Sequence, residues 1–258
     1  MAEILANGLR THVQRLGEGS PAAVFVHGIV VDNLSSLYFT LAPLVSQHRR
    51  ALLYDLRGHG RTERPPRGYR LDDLHDDLHA VLDAEIPDDP AILVGHSYGG
   101  LIALSFALRW PERVAGLALI DPPLPLPSWG TEIAAIFGLK GEARDRRVRE
   151  AYDTMHGPGE TRKRRRLAAN ANALVGETTL LDDMRASRAF SEAEISGLRC
   201  PTLAIYGDAS EIIRSARHLE RLVSHAQVEI LPGCTHLVLF EATHKVRELV
   251  LAWLERQV

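Results

Sequence analysis

A serine flanked by glycines lies in the run Gly95-His96-Ser97-Tyr98-Gly99-Gly100. The run follows the apolar residues Ala91 to Val94 and precedes an apolar, helix-like segment, Leu101 to Trp110. A sharp strand-to-helix turn of this kind holds a serine hydroxyl clear of the sheet, and the glycines on either side leave room for the neighbouring backbone. The pattern therefore predicts that Ser97 is a nucleophile. The alternative interpretation is a glycine-rich turn with a bystander serine.

A serine nucleophile needs a partner base, because a serine hydroxyl is weakly reactive at neutral pH and the base must itself be oriented by a third group. His236 fits this role, since it follows a predicted strand ending at Leu231 and precedes the last predicted helix. The chain order of serine, acid and histidine then matches that of a nucleophile elbow. We therefore expect Ser97 and His236 to meet.

The elements that must position these residues alternate between strand and helix. An Asn7-Gly8 pair predicts a hairpin near the start of the chain. Leucines at 71, 74, 78 and 82 follow a helical period. Continuous apolar runs, typical of strands buried on both faces, occur at Ala22 to Val26, Ala51 to Tyr54, Ala91 to Val94 and Val114 to Ile120. Further strand-like segments occur at Thr202 to Tyr206 and Gln227 to Leu231. The alternation predicts an α/β fold whose central sheet is mostly parallel, with helices on both faces.

The alternation stops after Asp121, where the prolines of residues 122–127 cannot continue a central strand. Residues 128–199 contain only helix-like segments. We therefore predict a core formed by residues 1–127 and 200–258, with a helical cap (a lid) inserted at 128–199. The expected substrate pocket under the cap is apolar and uses Trp129, Ile133, Ile136 and Phe137.

The composition is that of an ordinary globular protein, with 258 residues, 45% hydrophobic and 24% charged. A formal net charge of −3 gives no global basic field of the kind that binds nucleic acid. The two cysteines, Cys200 and Cys234, provide no disulfide framework and favour a reducing compartment. No signal peptide is visible and no apolar run approaches the ~18 residues of a membrane-spanning helix, so we expect a cytoplasmic protein.

The resemblance to a known superfamily is carried by several motifs in order. These are His27-Gly28, the run Asp55-Leu56-Arg57-Gly58-His59-Gly60-Arg61-Thr62, the elbow at Ser97, Trp110-Pro111-Glu112-Arg113-Val114, Pro201-Thr202-Leu203, and Gly233 to His236 with Glu241 beyond. The sequence resembles the α/β-hydrolase superfamily in its capped esterase and lactonase-like branch. The resemblance implies an α/β-hydrolase core in which Ser97 is the nucleophile and His236 the general base. It also implies an oxyanion hole formed by the backbone N–H groups of Ile29 and Tyr98, and no metal or organic cofactor.

The acid is where this sequence departs from the family pattern. The usual motif after the penultimate strand is Gly-x-x-Asp, but Gly207-Asp208-Ala209-Ser210 puts Ser210 in the place of the acid. Glu211, one position later and longer, is placed first as a replacement. Asp121, at the end of the preceding strand, is placed second, and Asp208 third. A dyad without an acid is the remaining alternative.

Other polar residues have less specific patterns. His75 and His79 lie four apart on one predicted helix and imitate a zinc-protease signature, but no third ligand stands out, so a solvated polar face is the better interpretation. His59 and His96 are expected to be structural. Asp32-Asn33 could cap the next helix, and Asn33 is a further candidate for substrate contact.

The expected reaction is acyl transfer from an ester, lactone or thioester to water, and a role in specialised metabolism is a hypothesis that accompanies it. Carbon–carbon bond hydrolysis and cofactor-free perhydrolysis on the same triad are alternatives. Against the former, Ile29-Val30-Val31 replaces the glycine-rich oxyanion loop of relatives that cleave carbon–carbon bonds. A ligand-binding protein without turnover is a third alternative. The basic run Arg162-Lys163-Arg164-Arg165-Arg166 is interpreted as a solvated helix face, or else as a docking surface for an acidic acyl carrier protein.

Overall fold

The computed structural model describes residues 2–139, 146, 150, 153, 154 and 162–257. Its centre is an eight-stranded sheet in the order β1-β2-β4-β3-β5-β6-β7-β8. The first two strands run antiparallel to their neighbours and the others are parallel. The strands are β1 (Ala2–Ala6), β2 (Leu9–Leu16), β3 (Ala23–Val26), β4 (Ala51–Tyr54), β5 (Ala91–His96), β6 (Val114–Ile120), β7 (Thr202–Gly207) and β8 (Gln227–Leu231).

Helices cover both faces of the sheet because strand residues alternate between two apolar cores. These helices are α1 (Ser35–Thr40), α2 (Ala42–Val45), α3 (Leu71–Glu85), α4 (Tyr98–Arg109), α9 (Arg214–Leu222), α10 (Val238–Glu241) and α11 (Thr243–Leu254). One core lies between the sheet and α3, α4 and α9, and the other lies under α1, α2, α10 and α11. The predicted fold class, an α/β-hydrolase core with a mostly parallel central sheet, is confirmed. The predicted hairpin is also present, with positive φ angles at Asn7 and Gly8.

The segment between β6 and β7, residues 128–199, is called the inserted segment below. Its described helices are α5 (Trp129–Phe137), α6 (Arg162–Glu177), α7 (Leu180–Ala186) and α8 (Glu192–Ser196). The inserted segment is tied to loops of the core through hydrogen bonds. The N–H of Tyr69 donates to the carboxylate of Asp183 at 2.9 Å, and the N–H of Phe190 donates to the carbonyl of Pro125 at 2.7 Å.

A buried carboxylate organises the loops at the carboxyl ends of β3 and β4. Asp55 accepts hydrogen bonds from the N–H groups of Leu34 at 2.9 Å and Arg61 at 3.0 Å, and it lies 2.7 Å from Nδ1 of His12. Burial raises the pKa of Asp55, but the electrostatic interactions with His12 and His27 and the hydrogen bonds from Leu34 and Arg61 outweigh burial and lower the pKa overall. The negative charge therefore stays in place and holds both loops.

The polar face predicted for α3 is not solvated at His75. This side chain is buried under the rings of Phe106 and Trp110, and its Nε2 lies 2.7 Å from the hydroxyl of Ser105. His79 is partly exposed and pairs with Asp83 at 3.0 Å. Among the described residues, His, Cys, Asp and Glu side chains form no group of three that could hold a metal ion. In the same part of the chain, no helix has the length and apolar character needed to cross a membrane.

The turn that carries Ser97 packs closely against β3, so a larger side chain at Gly99 is expected to destabilise the fold. A Cβ at Gly99 would lie 2.0 Å from the carbonyl oxygen of Val26, whereas a Cβ at Gly176 in α6 would meet nothing within 4 Å. Gly99→Ala is expected to lower the free energy of unfolding by at least about 2 kcal/mol, because backbone must move. Gly176→Ala, the matched control, is expected to raise it by about 0.5–1 kcal/mol through helix propensity. Urea unfolding measures both, and equal effects would contradict this packing.

Candidate active site

Ser97 stands in the turn between β5 and α4, with φ +53° and ψ −122°. A residue with a side chain rarely adopts this backbone conformation, and such strain persists only where the surroundings enforce it. Here the N–H of Ser97 donates to the carbonyl of Ile120 at 2.8 Å, which continues the ladder between β5 and β6. A Cβ at Gly95 would lie 2.5 Å from the Cα of Gly100. Glycine at positions 95 and 99, on either side of Ser97, therefore allows the sharp turn that the sequence predicts.

The structure brings three side chains into one hydrogen-bonded chain. Oγ of Ser97 lies 2.8 Å from Nε2 of His236, and Nδ1 of His236 lies 2.6 Å from Oδ2 of Asp121. A carboxylate can only accept, so Nδ1–H of a neutral imidazole donates to Asp121 and Nε2 accepts from the serine hydroxyl. These are the geometry and tautomer that a general base needs in order to take the proton of Ser97.

The carboxylate of Asp121 is fully buried and has three hydrogen-bond partners. Besides His236, the hydroxyl of Ser210 donates to Oδ2 at 2.7 Å, and the N–H of Gly207 donates to Oδ1 at 3.0 Å. Ser210 occupies the place where the family motif has its acid. Its hydroxyl is therefore part of the site, since it stabilises the charge of a carboxylate supplied by the neighbouring strand.

The carboxylate that contacts His236 is that of Asp121. From the sequence, Glu211 is instead the first candidate for the partner of the histidine, and Asp121 the second. Asp121 follows β6, and its φ of +46° turns the chain at the carboxyl end of the sheet, beside the end of β7. Glu211 lies instead in the wall of the cavity described below. Asp208 accepts from the N–H of Gly233 at 2.7 Å and so holds the loop that precedes His236.

The proposed oxyanion donors lie beside the serine. Ile29, Tyr98 and Ser97 all line the same cavity. The loop that carries Ile29 is held by a hydrogen bond of 2.8 Å from the N–H of Val30 to Nε2 of His59. Burial lowers the pKa of His59 to about 4, so its ring stays neutral and can accept this hydrogen bond. His59 thus shapes the loop.

Two residues contact this machinery in a way that the sequence did not predict. Asp32 lies 3.3 Å from Nδ1 of His96 and accepts from the N–H of Gly28 at 2.8 Å, and the ring of His96 stacks on that of His236. Burial raises the pKa of Asp32, but the hydrogen bond to His96 and the nearby imidazoles outweigh burial and lower it to about 2. Asp32 is therefore a carboxylate at neutral pH. No spacing pattern could have revealed this pair, because 64 positions separate its members.

A cavity of about 460 Å³ opens over Ser97 and His236. Of the predicted pocket residues, Ile133, Ile136 and Phe137 line its wall. Trp129 and Asn33 do not belong to the wall among the described residues. The indole of Trp129 packs on Tyr98 with ring centroids 5.9 Å apart and donates to the carbonyl of Arg188, because burial demands a partner for its N–H. The side chain of Asn33 accepts from the N–H of Ser35 at 2.9 Å, at the start of α1.

The cavity wall is mostly apolar, and its formal charges are negative. Within the described part of the chain the wall contains Asp32, Glu150, Glu211 and Glu241, and neither lysine nor arginine. Glu241 accepts from both the N–H and the hydroxyl of Thr235, next to His236. A ligand in this cavity therefore meets apolar side chains and carboxylates.

Comparison with known proteins agrees with the fold and the motifs. 2-Hydroxy-6-oxo-2,4-heptadienoate hydrolase of Pseudomonas putida is 28% identical, over 96% of this chain and 93% of its own. Cis-3-alkyl-4-alkyloxetan-2-one decarboxylase of Shewanella oneidensis is 27% identical, over 93% of this chain and 83% of its own. The structure of an enol-lactonase from Burkholderia xenovorans LB400 matches with a TM-score of 0.76 at 22% identity, covers 98% of this chain and 100% of that chain, and shows the same fold. The model of the alpha/beta hydrolase family matches residues 23–249, and this chain therefore belongs to that family.

Proposed function

We propose that this protein is a serine hydrolase that cleaves an ester, lactone or thioester of a small apolar substrate through an acyl-enzyme. The observation that carries the proposal is the continuous hydrogen-bonded chain from Ser97 through His236 to Asp121, which ends in a largely apolar cavity. The hydrolase relatives support the reaction class. In this proposal Asp121 is the acid, and the residue roles below belong to it.

In the first half-reaction, His236 takes the hydroxyl proton of Ser97 as Oγ attacks the carbonyl carbon. The charge that develops on the carbonyl oxygen is stabilised by the backbone N–H groups of Ile29 and Tyr98, and two such donors together contribute several kcal/mol. Asp121 stabilises the imidazolium that forms. The leaving oxygen or sulfur then takes the proton from Nε2, which leaves the acyl group on Ser97.

The second half-reaction uses the same groups with water as the nucleophile. His236 takes a proton from water as the water oxygen attacks the acyl carbon. The tetrahedral intermediate then collapses, Nε2 of His236 returns the proton to Oγ of Ser97, and the carboxylic acid is released. The inserted segment, which we propose acts as the cap, contributes Ile133, Ile136 and Phe137 to the cavity. Apolar walls limit the entry of water and strengthen the electrostatic interactions at the oxyanion.

The charge of the cavity favours an uncharged substrate. The Pseudomonas putida relative is named for a heptadienoate, which is an anion, and a buried carboxylate requires a cationic or hydrogen-bonding partner. The described wall provides Glu150, Glu211 and Glu241 where such a substrate would need a cation. This observation supports ester or lactone cleavage over carbon–carbon hydrolysis of a dienoate.

Two other predictions concern the same site and its surroundings. A binding protein without turnover has no need for a buried acid with three hydrogen bonds behind the histidine, so the geometry supports an enzyme; perhydrolysis uses the same residues and stays an alternative. Docking of an acyl carrier protein on the basic run stays a prediction. Arg162, Arg165 and Arg166 of that run are exposed at the start of α6.

Labelling with a fluorophosphonate tests the nucleophile directly. We expect intact-mass analysis to show one adduct on the wild type and none on Ser97→Ala, because only the hydroxyl paired with His236 is activated. If the folded wild type forms no adduct, Ser97 is not activated, and a ligand-binding protein without turnover becomes the favoured interpretation. An adduct retained by Ser97→Ala would place the reactive group elsewhere.

The identity of the acid is tested by isosteric substitutions. Asp121→Asn is expected to lower kcat on 4-nitrophenyl butyrate by about 10³–10⁴-fold, because the imidazole loses the partner that sets its tautomer. Glu211→Gln is expected to lower kcat by less than about tenfold, since it leaves the partner of His236 intact. Asp208→Asn is the control for an altered loop. A larger loss in Glu211→Gln than in Asp121→Asn would restore the order drawn from the sequence.

The proposed preference for an uncharged substrate is tested with two esters whose acyl chains have equal length, one neutral and one anionic. We expect kcat/KM for 4-nitrophenyl hemisuccinate to be at least about tenfold below that for the butyrate, because about 1.4 kcal/mol of like-charge repulsion corresponds to tenfold. Glu211→Gln is expected to narrow this ratio, and Glu255→Gln, outside the wall, to leave it unchanged. Equal rates for the two esters in the wild type would rule out this selection.

A further inference from the structure

One carboxylate oxygen connects the oxyanion loop to the wall behind the catalytic histidine. Oδ2 of Asp32 accepts from the N–H of Gly28 at 2.8 Å and lies 3.3 Å from Nδ1 of His96. Its other oxygen, Oδ1, accepts from the N–H of Asn33 at 2.8 Å. Asp32 and His96 are 6% and 4% exposed, so water contributes little to either interaction.

On the loop side, Gly28 directly precedes Ile29, whose N–H is a proposed oxyanion donor. The backbone of Gly28 passes close to the nucleophile, since a Cβ there would lie 3.5 Å from the Cβ of Ser97 and 3.0 Å from the carboxylate of Asp32. The hydrogen bond from Gly28 to Asp32 therefore sets the orientation of the peptide next to the donor.

On the histidine side, the ring of His96 lies against the ring of His236. Their centroids are 6.3 Å apart with an interplanar angle of 22°, and Phe240 contacts His96 edge-on at 5.8 Å. A carboxylate can only accept, so Nδ1–H of His96 donates to Asp32 and fixes the plane of the ring. Nε2 of His96 is buried with no hydrogen-bond partner among the described residues, so the hydrogen bond to Asp32 is the interaction that orients this ring.

We propose that Asp32 and His96 are positioning residues of this site: Asp32 holds the loop of the oxyanion donor and, through His96, the plane against which His236 packs. The inference rests on the proposed function, since it concerns how the nucleophile and base are held. Neither residue exchanges protons with the substrate. Both act by holding the N–H of Ile29 and the ring of His236 in place.

A positioning role has a kinetic signature. The oxyanion donor and the base interact most strongly with the transition state, so a loss of their alignment lowers kcat and leaves KM nearly constant. A purely structural role instead lowers the fraction of folded, active molecules. Titration of active sites with the fluorophosphonate separates the two, because kcat is then expressed per labelled site.

The test compares Asp32→Asn with Asp73→Asn. Asparagine has one acceptor oxygen, so Asp32→Asn cannot satisfy Gly28, Asn33 and His96 together. Asp73 is a matched control because its carboxylate also accepts from a backbone N–H, that of Arg70 at 2.8 Å, at the start of α3 and outside the described cavity wall. We expect Asp32→Asn to lower kcat per labelled site on 4-nitrophenyl butyrate by about 10- to 100-fold, less than the ~10²–10³-fold typical of deleting an oxyanion donor outright. KM is expected to change by less than about threefold, and Asp73→Asn to change kcat by less than about threefold.

A double-mutant cycle tests whether the two residues act together. His96→Phe keeps a ring against His236 but has no N–H for Asp32. We expect the losses in kcat of Asp32→Asn and His96→Phe to be non-additive in the double variant, because both substitutions disturb the interaction between these two side chains.

Two results would overturn the proposal. One is an unchanged kcat per labelled site in Asp32→Asn, with the loss confined to the labelled fraction or to KM. The other is full additivity in the cycle. A wild type that is not labelled at Ser97 at all would instead be a failure of the proposed function, so the two failures are distinguishable.

Discussion

The carboxylate of Asp121 is buried at the carboxyl end of the sheet, and the arrangement of the site depends on how its charge is satisfied. An unpaired carboxylate in such a position would cost several kcal/mol. Its oxygens instead accept from His236, Ser210 and the N–H of Gly207. These partners come from different loops, which the parallel strands bring to one edge of the sheet. The same hydrogen bonds that make burial tolerable therefore fix His236 in the tautomer that can accept a proton from Ser97.

A second buried carboxylate gives the site its other fixed point. Asp32 connects the backbone of Gly28 to the ring of His96, and that ring packs on His236. His236 thus has a neighbour on two sides, Asp121 at Nδ1 and His96 at the face of its ring. Both carboxylates lie in loops that follow strands, where the chain is free to depart from the ladder. The rigid sheet supplies the precision with which these loops are placed, because its central strands are buried on both faces.

The cavity surrounds Ser97 and His236 with a mostly apolar wall. Its described part combines apolar residues of the inserted segment with four carboxylates, Glu150 of the inserted segment and Asp32, Glu211 and Glu241 of the rest of the chain. In the proposed function these surroundings favour an apolar, uncharged acyl group over an anion. Glu211 lies in the cavity wall, whereas Asp121 is the carboxylate that contacts His236. Glu211 was the first candidate for the acid in the sequence because it directly follows Ser210, which occupies the acid's place in the family motif.

The fold class, the turn at Ser97 and the place of His236 after a strand could be predicted from the sequence, because each depends on local patterns: buried runs of residues, glycine spacing and position after a strand. Which carboxylate reaches His236 depends instead on how the strands are arranged in the sheet. Asp121 and Ser210 lie 89 positions apart, and their meeting depends on β6 and β7 being neighbours and on a backbone turn with positive φ at Asp121. The hydrogen bond between Asp32 and His96 could not be predicted from the sequence either, because 64 positions separate the two residues. Hydrogen bonds between loops depend on the order of strands in the sheet, and no spacing along the chain records that order.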